Sequence, residues 1–500
     1  MTRPYHIVIV GGGTSGWMAA NLFARHWKKN QNVAITLVES PNVSTIGVGE
    51  GSTPTLKRFF DALEIDEKAW MPYCNATYKV NIRFNQWSPQ SGIDSYSHPF
   101  VSQTDAFTQR AFIVNARTRR LGLDTHTQPD DFFLNGALAA YNKGPKTPEN
   151  FPFKMEYGYH FDSHKLGNFL STLAVDNGVK HISAHVKSIT KNDVGDIQSI
   201  ALDNESHIHG DFFVDCTGFS SLLMEKSLGV GFRSFANNLF NDSAVVLPTP
   251  TAETIPSETT STALSAGWAW KIPLAHRIGH GYVYSSSHID ADSAECELRK
   301  HLNCTSDNIE ARHLKMRVGQ LEKHWDKNCL AIGLSQGFIE PLEATALHLV
   351  QISIELFLSM FDKDRCNRQQ RENYNNSIST RFERTRDYIV AHYKLNTRSD
   401  SNYWIENREN RNISDSLAQL LSTWFNKDDL CAEIARQDIS THFTSLSWHA
   451  LLAGYGSFPD LAPNQPRQGD LYIDQKIQQF LQRCSLNFSS HEENLRLLDQ

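Results

Sequence analysis

HIVIVGGGTSGWMAANLFARHW (residues 6–27), followed by VAITLVE (33–39), decides the fold. His6 to Val10 is a short β-branched run of the kind that forms a buried parallel strand. Gly11, Gly13 and Gly16 spell GxGxxG directly after it, and Trp17 to Trp27 has helical spacing. Val33 to Glu39 is a second strand ending in an acid. Strand, glycine turn, helix, strand and acid, in that order, are the fingerprint of a dinucleotide site. The first glycine makes the turn, the second lets a pyrophosphate approach the backbone, and the third lets helix pack on strand. Thr14 and Ser15 lie in the turn, and Glu39 is placed to take ribose hydroxyls.

No second GxGxxG follows a strand; GVGFRS (229–234) lacks the third glycine. The chain is therefore expected to hold one dinucleotide, with no place of its own for a nicotinamide reductant. TIGVGEGSTP (45–54) is a glycine-rich loop that either connects or wraps a flavin; Gly47, Val48 and Glu50 are its candidate contacts. DFFVDCTG (211–218) reads as a strand running into a turn.

Further along, Thr55 to Leu63 is expected to be helical, and Ala76 to Trp87 alternates as one half-buried strand. Tyr78, Val80, Ile82 and Phe84 face one way; Lys79, Asn81, Arg83 and Asn85 face the other, where a solvated lysine is the ordinary outcome. Residues 88–155 read as loop-rich, Tyr159 to Asn177 as a helix, and 181–190 and 198–203 as strands. GWAWKIPL (267–274) is a strand with Trp268 and Trp270 on one face, and Gly281 to Ser285 is another. AIGLSQGFIEPLEATALHLVQISIELFLSMF (331–361) begins as a strand at Leu330 and turns past Glu340 and Glu343. It then enters an apolar helix whose first amides, near Thr345 and Ala346, could hold an anion. Residues 363–450 are polar with helical spacing, and 472–486 form a last helix. The division expected is 1–362, an intertwined dinucleotide-binding and sheet module, and 363–500, a mostly helical C-terminal region.

Composition narrows the class. The net charge of −7 over 500 residues gives no basic face for nucleic acid. The eight cysteines include no CxxC pair, so neither a metal site nor a redox pair is indicated, and a reducing cytoplasm fits. No run suits a membrane span, since His348, Gln351 and Glu355 interrupt the longest apolar stretch.

Taken together, GxGxxG at 11–16, the GVGEGSTP loop, Lys79, WxWxIP (Trp268, Trp270, Ile272, Pro273) and IGLSQGFIEPLEAT resemble the flavin-dependent halogenases of the tryptophan-halogenase family. The resemblance covers most of residues 5–395. It implies an α/β single-FAD fold of the aromatic-hydroxylase type: a Rossmann-like FAD-binding part, a substrate sheet and a helical C-terminal layer. It implies reduced FAD delivered by a separate flavin reductase, and chloride or bromide as co-substrate. The halide, oxidised to hypohalous acid, reaches a lysine that presents it to an electron-rich, indole-type aromatic. Carried over residue by residue, Lys79 and Glu343 are the catalytic pair, and Thr345 and Ala346 hold the halide. His98 and Phe100 line the substrate, and Trp268 and Trp270 keep it from the flavin. Val186 and Leu334 join the FAD contacts, and a homodimer is one permitted assembly.

Two departures stand out. Ala346 occupies a halide-site position where the family usually has glycine. The tyrosine pair that holds the amino-acid end of free tryptophan is missing, so indole, tryptophan and a larger aromatic all remain open as substrates. An FAD-dependent aromatic monooxygenase on the same fold is the alternative, followed by a flavin-binding protein without turnover.

Overall fold

The computed structural model describes residues 3–28, 32–43, 49–304, 309–361, 367–440, 443–460, 464 and 469–498. By internal contacts the chain divides into two units, each assembled from three segments. The first is Met1–Asn75, Phe161–Ala236 and Arg317–Glu383; the second is Ala76–His160, Asn237–Met316 and Arg384–Gln500. The cut at 362 expected from composition is a different one and itself falls outside the described residues.

The first unit is built on a six-stranded sheet. Its order is Trp325–Asp326, Cys329–Ala331, Phe212–Asp215, Tyr5–Val10, Val33–Glu39 and Lys180–Ser183. All neighbours are parallel except the first pair. Because the middle of a parallel sheet is covered on both faces, its central strand is apolar from Ile7 to Val10 and Ile7, Val8 and Ile9 are fully buried, whereas the edge strand Lys180–Ser183 is polar and mostly exposed. The helices Thr14–His26, Ser163–Asp176 and Ala346–Met360 belong to this unit. One core joins Val8, Val10 and Val38 to Ile197, Ile200 and Leu202 of an antiparallel three-stranded sheet.

The second unit is built on a seven-stranded sheet. Its order is Arg312–Lys315, Ser243–Pro250, Arg277–Tyr284, Gly267–Pro273, Glu258–Leu264, Asn81–Ser88 and Ile93–Pro99. Only Glu258–Leu264 and Asn81–Ser88 run parallel; the other neighbours are antiparallel. Much of the remainder is helical, including Asn402–Glu409, Asp415–Phe425, Leu430–Arg436 and Ser445–Gly454. Among the described residues no helix is long and apolar enough to cross a membrane.

Four expectations need correction. The strand expected over 76–87 is two, Thr77–Lys79 and Asn81–Ser88. Val80 leaves the ladder because its N–H donates to Ser257 O (2.8 Å) and its carbonyl accepts from the Asn135 amide (2.7 Å). Residues 88–155 are not mainly loop: they hold the strand Ile93–Pro99 and the helices Gln109–Arg120 and Leu134–Ala140. The helix expected from Tyr159 begins only at Ser163, because Gly158–Asp162 is a strand and the Asp162 carboxylate caps the helix at His164 N and Lys165 N. A further helix, His491–Arg496, follows the one at Ile477–Ser485.

Candidate active site

In the first unit the glycines do three separate jobs. Gly11 has φ +113°, and a Cβ there would lie 2.1 Å from the Cys216 carbonyl oxygen. A Cβ on Gly16 would lie 2.0 Å from Gly11 O, so helix and strand touch through bare backbone. A Cβ on Gly13 would meet nothing within 4 Å. The open side of the turn is thus at Gly13, which is also the N-cap of Thr14–His26; that helix has no side-chain cap and no acid in its first turn. Uncapped amides at the positive end of a helix, with room in front of them, fit the pyrophosphate of a dinucleotide.

Glu39 stands beside this turn. A Cβ on Gly12 would lie 2.2 Å from its carboxyl carbon. Burial pushes the Glu39 carboxyl above its usual range, opposed by His181, whose Nε2 is 3.2 Å from Oε2. Thr14 Oγ1 donates to Ser163 O at 3.4 Å, and Glu50 is hydrogen-bonded to the Ser163 side chain. Burial, with Asp162 adding to it, pushes Glu50 up to about 7. Ser15 meets the 3₁₀ turn Gly333–Ser335: Gly333 has φ +73°, and a Cβ there would lie 2.4 Å from Ser15 Oγ. Leu334, half-buried, sits in that turn. Val186 opens the strand Val186–Lys191 and packs against the core of the unit. Gly47 and Val48 lie outside the described residues.

Asp215, in DFFVDCTG, fixes this end of the sheet. One carboxylate oxygen accepts from Thr217 N (3.0 Å) and Thr217 Oγ1 (2.6 Å); the other accepts from Leu223 N (2.7 Å) and Met224 N (2.9 Å). Ser335 Oγ donates to the Asp215 carbonyl, tying the 331–345 turn to the same strand.

That turn is buried. Glu340 is 0% exposed and Glu343 3%, both within the unit core. Ala344 has φ +54°, a left-handed conformation that costs a non-glycine residue roughly 1–2 kcal/mol. The turn is pinned by Leu342 N donating to Glu340 O (2.9 Å) and Ala344 N to Pro341 O (3.0 Å). Thr345 is then the N-cap of Ala346–Met360; its side chain makes no cap hydrogen bond, and no acid lies in the first turn. Such a helix start leaves its first amides able to take an anion.

In the second unit Lys79 corrects the reading by pattern: it is 0% exposed, as is Asn81, although both alternate on the polar side of the strand. Its ammonium lies 5.6 Å from the centroid of the Phe100 ring. The Asn135 amide brings these two together. It donates to the carbonyls of Val80 (2.7 Å), Phe100 (2.8 Å) and Glu156 (3.0 Å). His98 is half-buried, its ring 5.8 Å from Tyr388 and 6.3 Å from Phe443. Tyr388 and Phe443 are stacked at 3.6 Å, with Trp448 edge-on to Tyr388 at 4.9 Å. Tyr388 and Phe443 escaped sequence reasoning, as did Asn135; only the aromatic content of 381–393 and 443–448 hinted at the rings.

Trp268 and Trp270 share one face of Gly267–Pro273, ring centroids 6.2 Å apart, and are 2% and 8% exposed. Trp270 lies over Gly281 of the neighbouring strand, where a Cβ would come within 2.1 Å of the indole. The pair is therefore fixed by the bare glycine as well as by the β-ladder.

The family model for tryptophan halogenase matches residues 6–467. Tryptophan 6-halogenase SttH of Streptomyces toxytricini is 37% identical over 444 residues, 84% of each chain. Tryptophan 7-halogenase RebH of Lentzea aerocolonigenes is 30% identical over 481 residues, 91% of this chain and 90% of its own. Among solved structures, BrvH, a flavin-dependent halogenase from Brevundimonas sp. BAL3, superposes with a TM-score of 0.85 at 30% identity, covering 100% of both chains.

Proposed function

The chain belongs to the tryptophan halogenase family and is a flavin-dependent halogenase; on that premise we propose that it chlorinates or brominates an indole-type aromatic through Lys79. The observation that carries the reading is a lysine wholly removed from solvent with its ammonium facing the Phe100 ring. Burying an ammonium is costly, and a strand lysine with no functional use would turn outward.

Gly11, Gly13, Thr14, Ser15, Gly16 and Glu39 would hold the FAD, with Gly47, Val48, Glu50, Val186 and Leu334 as further contacts. Reduced FAD, when bound, would supply the two electrons that bring oxygen to the peroxide level, the oxidant that then takes two electrons from the halide. The first amides of the 346–360 helix, at Thr345 and Ala346, would hold that halide as an anion. Lys79 would hydrogen-bond hypohalous acid, or carry its halogen on nitrogen, and present it to the ring. Phe100 and His98 would hold the ring flat, joined by Tyr388 and Phe443. Glu343 would accept the proton lost from the substituted carbon. Trp268 and Trp270 would keep the substrate from the flavin.

SttH is a tryptophan 6-halogenase and RebH a tryptophan 7-halogenase. Free tryptophan, indole and a larger indolic compound are all substrates to be tested here. A separate flavin reductase and a cytoplasmic setting belong to the same proposal. The test supplies FAD, a flavin reductase, NADH and either halide to the enzyme with indole or tryptophan. Halogenated product by mass spectrometry is expected; hydroxylated product alone, independent of halide, would make it a monooxygenase.

A further inference from the structure

A buried polar chain runs behind Lys79. Thr77 Oγ1 donates to the carbonyl of Pro273 at 2.7 Å, so its single proton is committed. His160 Nδ1 lies 2.9 Å from the same oxygen and must therefore donate to it. Thr259 Oγ1 lies 2.9 Å from Nε2 on the other side of the ring. Pro273 closes the WxWxIP strand, Thr77 opens the Lys79 strand, and Thr259 lies on the strand between Asn81–Ser88 and Gly267–Pro273. One imidazole thus joins three strands by two hydroxyls.

His160 lies directly across from Thr77, and Lys79 across from Gly158. Thr77 and Lys79 share a face, so Lys79 is the diagonal neighbour of His160, at roughly 7 Å. His160 and Thr77 are both 0% exposed.

We propose that His160 is a positioning residue for Lys79: a neutral ring, protonated at Nδ1, that holds Thr77 on the Pro273 carbonyl and so fixes the strand carrying the lysine. This rests on the reading of Lys79 as the lysine that delivers the halogen. The electrostatics run the same way. Burial lowers the His160 pKa well below the ordinary histidine value, and the charge of Lys79 lowers it further. His491 is itself neutral in this arrangement, since Nε2 accepts from Tyr78 N (3.1 Å) and Nδ1 then donates to Ile255 O (2.9 Å). The strand carrying Lys79 is thus tied at Thr77 through its side chain and at Tyr78 through its backbone N–H.

Full-length protein labelled with ¹⁵N-histidine tests the tautomer without any change of sequence. The resonance absent from His160→Gln should show Nδ1 protonated and Nε2 not, unchanged between about pH 6 and 9. An Nε2–H tautomer, or a cation within that range, would overturn the proposal. His160→Leu removes both hydrogen bonds and should lower kcat at least about tenfold, with KM for the aromatic within about twofold. Thr77→Val should do the same. His160→Gln, which keeps one donor and one acceptor at similar spacing, should restore kcat to within about threefold. FAD content and melting curve are followed in parallel. If His160→Leu keeps wild-type kcat, or if Gln fails to rescue a variant that binds FAD and melts normally, the role assigned to His160 is wrong. If His160→Leu does not fold, the tautomer decides. Lys79→Ala is assayed separately: halogenation surviving there refutes the reading of Lys79, while the tautomer result stands independently.

Discussion

Replacing Asn135 by alanine should separate Lys79 from Phe100, and the size of the effect follows from the hydrogen bonds lost. The amide has two protons and three carbonyls in range, those of Val80, Phe100 and Glu156, and the residue is 0% exposed. Two good bonds disappear at once. A buried acceptor left unmatched costs about 1–3 kcal/mol, so the pair costs about 4 kcal/mol with a small cavity included. Val80 is held on both sides, its carbonyl by the Asn135 amide and its N–H by Ser257 O. Urea unfolding followed by tryptophan fluorescence gives the stability, and a halogenation assay in dilute urea-free buffer gives kcat. The expected result is a midpoint shifted by that free energy with m unchanged, and kcat reduced at least about tenfold. A loss below about 1 kcal/mol would show that water replaces the amide, and the account of how Lys79 is held would be wrong.

Three further outcomes are expected. His491 and His449 are pushed down to about 4 by burial. Each has a folded pKa below its unfolded one, so its contribution is intact above about pH 6.5 and is lost as pH falls toward 4, about 2 kcal/mol each by pH 5; melts between pH 7 and 5 should show it, and His449→Gln should flatten the slope. Gly281→Val puts a side chain into the Trp270 indole and should destabilise by about 1–3 kcal/mol, read as a lower urea midpoint; an unchanged midpoint would mean the indole can move aside. Ala346→Gly alters only the first residue of the 346–360 helix and, on the proposed halide role, should change KM for chloride or bromide about threefold while leaving KM for the aromatic within error; an equal change in both would detach Ala346 from halide binding.

Local signals carried the first unit. The glycine turn, its flanking strands and the acid at Glu39 are set by neighbours in sequence, and each appears where spacing placed it. The entry to the 346–360 helix was legible for the same reason: Gly, Pro and Glu shape it within fifteen residues. What failed depends on distant chain. Alternation put Lys79 on a polar face correctly, but whether that face meets water is decided by what packs there, such as the Phe100 ring 5.6 Å from the ammonium, which Asn135 holds in place. The break at Val80 is made by Ser257 and Asn135, neither near in sequence. The helix Gln109–Arg120 looked like loop because its buried side is only Ala111, Phe112, Asn115, Ala116 and Arg120, too small and polar a stripe to register as periodic. Tyr388 and Phe443 meet across 55 residues, so no spacing could have paired them with His98.

The central claim is that this chain transfers an oxidised halide to an aromatic carbon through Lys79. The most direct test is the mass spectrum of indole incubated with bromide, FAD, NADH, a flavin reductase and either the parent enzyme or Lys79→Ala. The account predicts a monobrominated product with the parent enzyme and none with the variant, although the variant still binds FAD and consumes oxygen. Brominated product from the variant at the parental rate, or hydroxylated indole as the only product of the parent enzyme, would contradict it.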